Sequence, residues 1–452
     1  MQSQFGALTL AQETQFGELP LDFVALVFLR RPVDARLRAR EVSRGWRALL
    51  KEPRFWTVLD FSPGSGVVAS ILQALLFAAG ERGRGHLHTL DVTGVWGLHP
   101  EHLVQFVAAH GQSLRTVTAS ASRALSIDEV TRLCRSAPLC TLHCRVLCTA
   151  AEALPLLRCE APCALLHIFK LWVHTFNDEQ AVLDFAAALP SHRGKIKVLA
   201  VANASLENVA ASDALLRSIA EARVSDVTFH HCNLAPASLP GLTRLLEAGC
   251  LVRLAINHYG RALFETGPDL TALCNALRSS TLQVLKLDAC YLWGDPAASG
   301  EFLDSLVGQP TLRELSLTSN SVDGTNDALR RAAGEQLALL ITHNSALQKL
   351  DLYANELREV GLVRLFEALP RASTLKELSF NLEHISRQFV RNAILPAVHL
   401  NTSLLALSFG DDDEALPELK EAQDIVAART QPGVGAIAAV NFSWFGSCKG
   451  LF

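Results

Sequence analysis

Membrane-length apolar runs are absent from this sequence of 452 residues. The longest nearly apolar stretch, from Val67 to Ala79, contains Gln73 and is far too short to cross a bilayer. The first twenty residues lack the basic segment followed by an apolar segment that marks a secretory signal. We therefore expect a soluble protein of the cytoplasm, the nucleus or both, with no membrane partner.

Common catalytic motifs are also missing. The sequence contains no G-x-x-x-x-G-K-[ST], no H-E-x-x-H and no G-x-S-x-G. The glycines between Gly80 and Gly85 have the wrong spacing for a dinucleotide loop, and they precede a predicted strand instead of following one. The sequence therefore predicts a protein that is not an enzyme and that needs no cofactor.

Cysteine and charge exclude two further classes. The 11 cysteines are an odd number, and none forms the C-x2-C pair with which zinc sites usually begin. We interpret them as buried apolar thiols in a reducing compartment, with a zinc site as the alternative. A formal net charge of −4 is nearly neutral for this length, which argues against a nucleic-acid partner.

What the sequence has in abundance is an internal repeat, L-x-x-L-x-L, in which other apolar residues can replace leucine. Twelve copies follow one another about 29 residues apart, a period at the upper end for such repeats. They begin at Leu87, Leu114, Leu139, Ile168, Ile196, Val224, Leu251, Leu282, Leu312, Leu347, Leu375 and Leu404. Weaker copies at Trp56 and Ile437 are predicted to be terminal capping repeats.

Each copy predicts a short strand followed by a helix. The fourth and sixth positions alternate along the strand and point into the core, and the residues between them point to the other face of the sheet. Helical periodicity follows, as in Glu179 to Leu189. We expect an α/β horseshoe solenoid with a parallel sheet inside and helices outside. We call the sheet face turned away from the helices the concave face.

Two copies extend to L-x-x-L-x-L-x-x-N-x-L, with Asn320 and Asn355 at the asparagine position. Asparagine can bind backbone groups where the chain leaves the strand. Cys232 and Cys290 occupy the same position, so we predict a structural role for these thiols. These repeats resemble leucine-rich repeats of the ribonuclease-inhibitor type, most closely between His343 and Phe380, and the resemblance implies a protein that recognises other proteins.

A compact helical segment precedes the repeats. Pro20 and Asp22 suit a helix start, and Pro32 ends that helix. Val42 and Trp46 then fall at helical spacing on one face. A unit of this size buries little surface alone, so it needs a partner or the adjoining repeats.

This segment resembles an F-box. Leu19-Pro20 opens it, Val42 to Arg47 corresponds to the V-C/S-R-x-W-R core, and Phe55-Trp56 closes it, whereas Ala35 and Arg36 depart from the family pattern. The resemblance implies docking on a Skp-family adaptor and, through it, on a cullin and a RING ubiquitin ligase. The residues that the resemblance places in the adaptor-binding set are Leu19, Pro20, Val27, Phe28, Val42 and Trp46. Val42 and Trp46 could instead fill the core of the segment itself.

The resulting domain prediction has three parts: an N-terminal segment over residues 1–17, a small all-helical F-box over 18–56, and a solenoid over 56–452. The interval from Leu19 to Trp56 contains nine lysines or arginines and four acidic residues, which favours an acidic protein partner over a nucleic acid. The predicted function is that of the substrate-recognition subunit of an adaptor–cullin–RING ubiquitin ligase. A leucine-rich-repeat scaffold or inhibitor without ubiquitin chemistry is the alternative.

The target is expected on the concave face, where large and polar side chains occur at strand positions. The candidate target-binding residues are Trp172, His174, His230, His231, Asn257, His258, Asp288 and Tyr353. A tolerant solvated surface is the alternative for each residue. The four histidines could also form a metal or pH-sensing cluster, although their spread over four repeats prevents them from sharing one ion.

Overall fold

The computed structural model describes most of the repeat region and little of the segment before it. The described residues are 48, 50–61, 77–93, 98–119, 124–158, 168–176, 178–258, 262–320, 326–381, 385–409 and 417–429. The six predicted adaptor-binding residues and the predicted cap at Ile437 lie outside these ranges. Within them, no helix is both long enough and apolar enough to span a membrane.

In the described ranges, thirteen parallel strands form one sheet, and their order in the sheet is their order in the chain. The strands are β1 Val58–Asp60, β2 Thr89–Asp91, β3 Thr116–Ala119, β4 Thr141–Thr149, β5 Ile168–Thr175, β6 Val198–Ala202, β7 Asp226–His230, β8 Arg253–Asn257, β9 Val284–Asp288, β10 Glu314–Ser316, β11 Lys349–Leu352, β12 Glu377–Phe380 and β13 Ala406–Phe409. Each of the twelve predicted repeats provides one strand, and the predicted cap at Trp56 provides β1. The prediction of a parallel leucine-rich-repeat sheet is therefore confirmed.

Helices alternate with the strands along the chain and contact one another in order, which gives a second layer beside the sheet. They are α1 Pro100–His110, α2 Ile127–Ser136, α3 Ala150–Leu157, α4 Glu179–Ala188, α5 Val209–Ala222, α6 Leu239–Glu247, α7 Pro268–Ser279, α8 Pro296–Val307, α9 Asp327–His343, α10 Arg358–Ala368, α11 Arg387–Phe389, α12 Leu395–Leu400 and α13 Pro417–Ala427. One turn of π-helix, Val390–Ile394, joins α11 to α12.

Local sequence explains where several helices begin. Asp178 caps α4 by accepting the amide of Ala181 at 2.8 Å, and Asn326 caps α9 by accepting that of Ala328 at 3.1 Å. Ser126 and Glu129 form a reciprocal capping box at the start of α2. Such caps satisfy amides that have no partner inside the helix, so polar residues just ahead of these three helices set where they begin.

The core lies between the two layers and follows the predicted alternation. In β7, Val227 and Phe229 are buried, whereas Asp226, Thr228 and His230 face the other side and are half-buried. Alternate residues of a strand point to opposite faces. The apolar residues at the fourth position of successive repeats therefore form one row in a continuous core, and those at the sixth position form another.

Buried asparagines connect successive repeats where the strands end, as predicted. Asn320 Nδ2 donates to the carbonyls of Leu287 and Leu317, while its Oδ1 accepts the amide of Cys290 at 2.9 Å. Asn355 Nδ2 donates to the carbonyls of Leu317 and Leu352. The same side chains therefore satisfy backbone groups of two repeats at once.

The equivalent cysteines are structural too. Cys232 and Cys290 are fully buried, and their thiols lie 3.4 Å and 3.6 Å from the carbonyl oxygens of Val201 and Ile256. Burial raises the pKa of the Cys232 thiol to about 12, so it stays protonated and unreactive. Among the residues that the structure describes, no group of three or more His, Cys, Asp or Glu side chains could hold a metal ion.

A second polar ladder runs along the opposite ends of the strands and was not predicted. Asn344 Nδ2 donates to the carbonyls of Leu306 and Gln309, and its Oδ1 accepts the amides of Ala346 and Leu347 at 2.8 Å. Asn401 and Gln309 make equivalent bonds in their own repeats. All three stand three residues before the first leucine of a repeat, which is the signal that could have identified them.

The start of the solenoid includes residues assigned to the predicted F-box. Leu50, Phe55 and Trp56 are fully buried in the core, and Trp56 Nε1 donates to the carbonyl of Leu50 at 2.8 Å. The described end of that segment is therefore packed into the first repeat. The boundaries of the F-box and of the N-terminal segment stay predictions.

Candidate functional site

The parallel register aligns the concave side chains in rows that cross the sheet. One row joins Trp172, Ala200, Thr228, Ala255 and Lys286, from β5 to β9. Another joins His230, Asn257 and Asp288. Because neighbouring strands lie about 4.8 Å apart, side chains in a row are close enough to act on one partner together.

An aromatic contact marks the N-terminal half of this face. The rings of Trp172 and His230 have centroids 5.9 Å apart, although β6 separates their strands. The two β6 residues beneath them, Ala200 and Ala202, are only 1% and 4% exposed. The small alanine side chains therefore leave room for the indole to lie across the sheet.

Two residues of β4 complete this region. Leu147 pairs in register with Trp172 and is 40% exposed, which is unusual for a leucine in this chain. The Arg145 guanidinium carbon lies 5.7 Å from the Trp172 ring centroid, within range of a cation–π interaction. We call Leu147, Trp172, Ala200, Ala202 and His230 the aromatic patch.

The other predicted histidines do not form a common cluster. His174 lies on β5, with Nδ1 2.8 Å from the Thr175 hydroxyl. His231 is exposed in a left-handed turn after β7, with φ of 50°. His258 is only 2% exposed, and its Nδ1 lies 2.7 Å from the Cys232 carbonyl oxygen. The prediction that His258 faces a target was therefore wrong, because the residue after Asn257 points into the core.

Three ion pairs between described residues cross the face from β7 to β12. Arg253 pairs with Asp226 at 3.6 Å, Lys286 with Glu314 at 2.6 Å, and Lys349 with Glu377 at 3.0 Å. Each pair joins side chains of adjacent strands, so opposite charges face each other across the ladder. None was predicted from the sequence, although each residue stands at an outward strand position.

Two carboxylates of the C-terminal half of the face have a hydroxyl or an amide as hydrogen-bond donor, and Lys286 acts on both only through its charge. Asp288 accepts the Ser316 hydroxyl at 3.0 Å, and Asp351 accepts the amide of Tyr353 at 3.1 Å. Burial raises the pKa of both carboxyls above the ordinary value, and the charge of Asp351 adds to the effect at Asp288. We call Asp288 and Asp351 the carboxylate pair.

Tyr353 and Asn257 lie at the edges of this pair. Tyr353 is 43% exposed, just after β11. Asn257 pairs in register with Asp288, and its buried Oδ1 accepts no hydrogen bond from the described residues. The predicted residues Asp288 and Tyr353 are therefore close to Asp351, whereas Asn257 lies beside Asp288. Sequence reasoning missed Asp351, although it occupies an outward position of its repeat.

The fold and the repeat pattern give this chain a leucine-rich-repeat architecture. A mouse protein, "NACHT, LRR and PYD domains-containing protein 12", is 29% identical over 188 residues. The match covers 36% of this chain and 17% of that protein, so the chain spans only a small part of the relative's length. No family model matches the sequence.

Two solved structures show limited similarity. The match to the Legionella pneumophila leucine-rich repeat-containing protein LegL7 covers 83% of this chain and 98% of the LegL7 chain, with 13% identity and a TM-score of 0.33. The Leiomodin-1 Actin-Binding Site 2 structure covers 30% of this chain and 73% of its own, with 22% identity and a TM-score of 0.26. Neither similarity bears on function.

Proposed function

We propose that this chain is the substrate receptor of an adaptor–cullin–RING ubiquitin ligase. In this proposal the F-box-like segment binds a Skp-family adaptor, and the concave face binds a protein target. The protein itself performs no chemistry. Protein binding is the general role that the leucine-rich-repeat architecture supports, because a solenoid offers a long, regular surface to a partner.

One observation carries the ubiquitin-ligase part of the proposal. The opening Leu19-Pro20, the core from Val42 to Arg47 and the closing Phe55-Trp56 stand in the order and at the spacing of an F-box, directly before the first strand. Burial of Leu50 and Trp56 in the first repeat supports it, since this packing would hold a bound adaptor close to the solenoid.

Co-purification with a Skp-family adaptor tests this proposal. Trp46→Ala and Pro20→Ala are each expected to abolish adaptor capture, because an apolar helical face would lose an anchor. Gln12→Ala, ahead of the motif, serves as the control and should leave capture unchanged. Circular dichroism should show the same helix and strand content in all three variants. Adaptor capture that survives both motif substitutions would contradict the docking surface.

The second candidate is a scaffold or inhibitor whose N-terminal segment only caps the solenoid. The buried Leu50 and Trp56 favour this possibility as well, because they show that the segment's end stabilises the first repeat. Deletion of residues 1–47 separates the two, since it retains Leu50. An F-box should be removable with little change in the melting temperature, whereas removal of a cap should cause unfolding or aggregation.

A further inference from the structure

The concave face has two chemically different halves. The aromatic patch, on β4 to β7, presents an exposed leucine and a large indole over buried alanines. The carboxylate pair lies on β9 and β11, with Ser316 of β10 between its members. An interface usually depends on a few large anchors and on complementary charge, and these two halves offer one of each.

Carboxylates outnumber basic side chains on the described concave positions of β6 to β12. The basic side chains at those positions are Arg253, Lys286 and Lys349, and each forms an ion pair with a carboxylate of the neighbouring strand. Asp288 and Asp351 remain without an ion pair among the described residues. This part of the face is therefore negative, and it suits a cationic group from outside.

The carboxylate pair is also unfavourable for the folded chain alone. Burial raises the pKa of both groups, which means that the fold disfavours their charged forms. A neutral side chain at either position would accept or donate the same neighbouring hydrogen bonds without that cost. Groups that destabilise a fold often serve binding or catalysis.

The separation of the two halves sets the length of a partner segment. From β5, which contains Trp172, to β9, which contains Asp288, there are four strand spacings, or about 19 Å. An extended chain advances about 3.3 Å per residue, so five or six residues cover this distance. The partner would cross the strands, because the two halves lie on different strands.

We infer that the concave face binds an extended basic segment of a partner protein, with a large apolar side chain on the aromatic patch and a lysine or arginine, five or six residues away, on the carboxylate pair. The inference deepens the target-binding half of the proposed function and rests on it. Tyr353 is half-exposed beside Asp351, so it would line the site that binds the cation and contact that cation through its ring.

Selection from a random dodecapeptide library displayed on phage tests this inference with the purified full chain. Selected peptides are expected to contain a large apolar residue and a lysine or arginine five or six positions apart. Synthetic copies should bind at least about tenfold more weakly to the Asp288→Asn/Asp351→Asn double variant, because a charged contact is lost. Their binding should also weaken as ionic strength rises.

Three further variants complete the test. Trp172→Ala and Leu147→Ser should each weaken peptide binding about tenfold or less. Because Leu147 is exposed, its substitution tests the aromatic patch even if the tryptophan variant folds poorly. Glu247→Gln removes an exposed carboxylate from α6, away from the concave face, and should change nothing.

Selection of acidic peptides, selection without charge preference, no selection at all, or equal binding to the double variant would each overturn the inference. These outcomes are separable from failure of the proposed function. Adaptor capture through Leu19, Pro20 and Trp46 does not involve the concave face, so it can succeed while peptide selection fails.

Discussion

At the level of single residues, buried asparagine and glutamine side chains connect successive repeats by hydrogen bonds. Asn320 and Asn355 bind backbone groups at one end of the strands, and Asn344, Asn401 and Gln309 do so at the other end. Each amide carries both a donor and an acceptor, so it can serve carbonyls of one repeat and amides of the next. Apolar residues of similar size would leave those backbone groups unsatisfied.

Asn344→Ala should therefore lower the free energy of unfolding by about 1–3 kcal/mol, the cost of leaving buried polar groups without partners. Chemical denaturation measures the change. Asn275→Ala, on the exposed side of α7, is the matched control and should change stability by less than about 0.5 kcal/mol. Equal effects of the two substitutions would contradict the role of the ladder.

Replacing either member of the carboxylate pair by a neutral side chain should stabilise the protein, and the gain should depend on pH. Because the pKa of each carboxyl is raised in the folded state, the charged form is penalised above that raised pKa, and the penalty disappears below the ordinary pKa of 3.8. Asp288→Asn and Asp351→Asn should each raise the melting temperature at pH 7, and the gain should vanish as the pH falls toward 3.8. Thermal melts across this pH range, with Glu247→Gln as the control, measure it. A variant that melts lower at pH 7 would contradict the cause assigned to the shifted pKa.

At the level of elements, glycine allows the backbones of α9 and α10 to approach each other closely. A Cβ built on Gly334 of α9 would lie 2.1 Å from the carbonyl oxygen of Gly361 in α10. One built on Gly361 would lie 2.7 Å from the carbonyl oxygen of Arg330. Backbone atoms cannot move away as a flexible side chain can, so these two positions exclude any larger residue.

Gly334→Ala should consequently destabilise the protein by about 1–3 kcal/mol, the usual cost of overpacking. The direction is informative, because alanine in a helix normally stabilises by up to about 1 kcal/mol relative to glycine. Gly308→Ala, where a Cβ meets no atom within 4 Å, is the control. Urea denaturation should show a loss of stability for the first variant alone.

On the scale of the whole molecule, contacts join repeats that are adjacent or two apart, so disruption should stay local. Trp56 and Trp293 are both buried, one beside β1 and the other after β9, where its Nε1 donates to Asn355 Oδ1 at 2.8 Å. They provide a matched pair at two places in one array.

Trp56→Ala should increase hydrogen exchange in β1 and β2 and leave β9 to β11 protected, and Trp293→Ala should do the reverse. Each substitution is expected to cost about 3–5 kcal/mol, the range for large aromatic residues in a core. Hydrogen-exchange mass spectrometry measures both patterns. Uniform loss of protection from either substitution would show that the array unfolds as one unit.

The repeat pattern predicts most of the fold because one period sets one strand and one stretch of core. It predicts β1 to β13, the inward leucines, the asparagines 320 and 355 and the buried cysteines 232 and 290. It also places Trp172, His174, His230, Asn257 and Asp288 on the outward strand positions. The adaptor-binding set remains a prediction, since it lies outside the described residues.

What the chain alone settles is its period, because hydrophobic spacing and strand parity are local properties of consecutive residues. Which polar groups meet depends on the folded stack. The Trp172–His230 contact reaches across β6, and each ion pair joins residues some thirty positions apart. His258 gives a further example, because only the folded stack brings its Nδ1 to within 2.7 Å of the Cys232 carbonyl oxygen of the preceding repeat. Such meetings follow from register and packing between repeats, and no single repeat contains them.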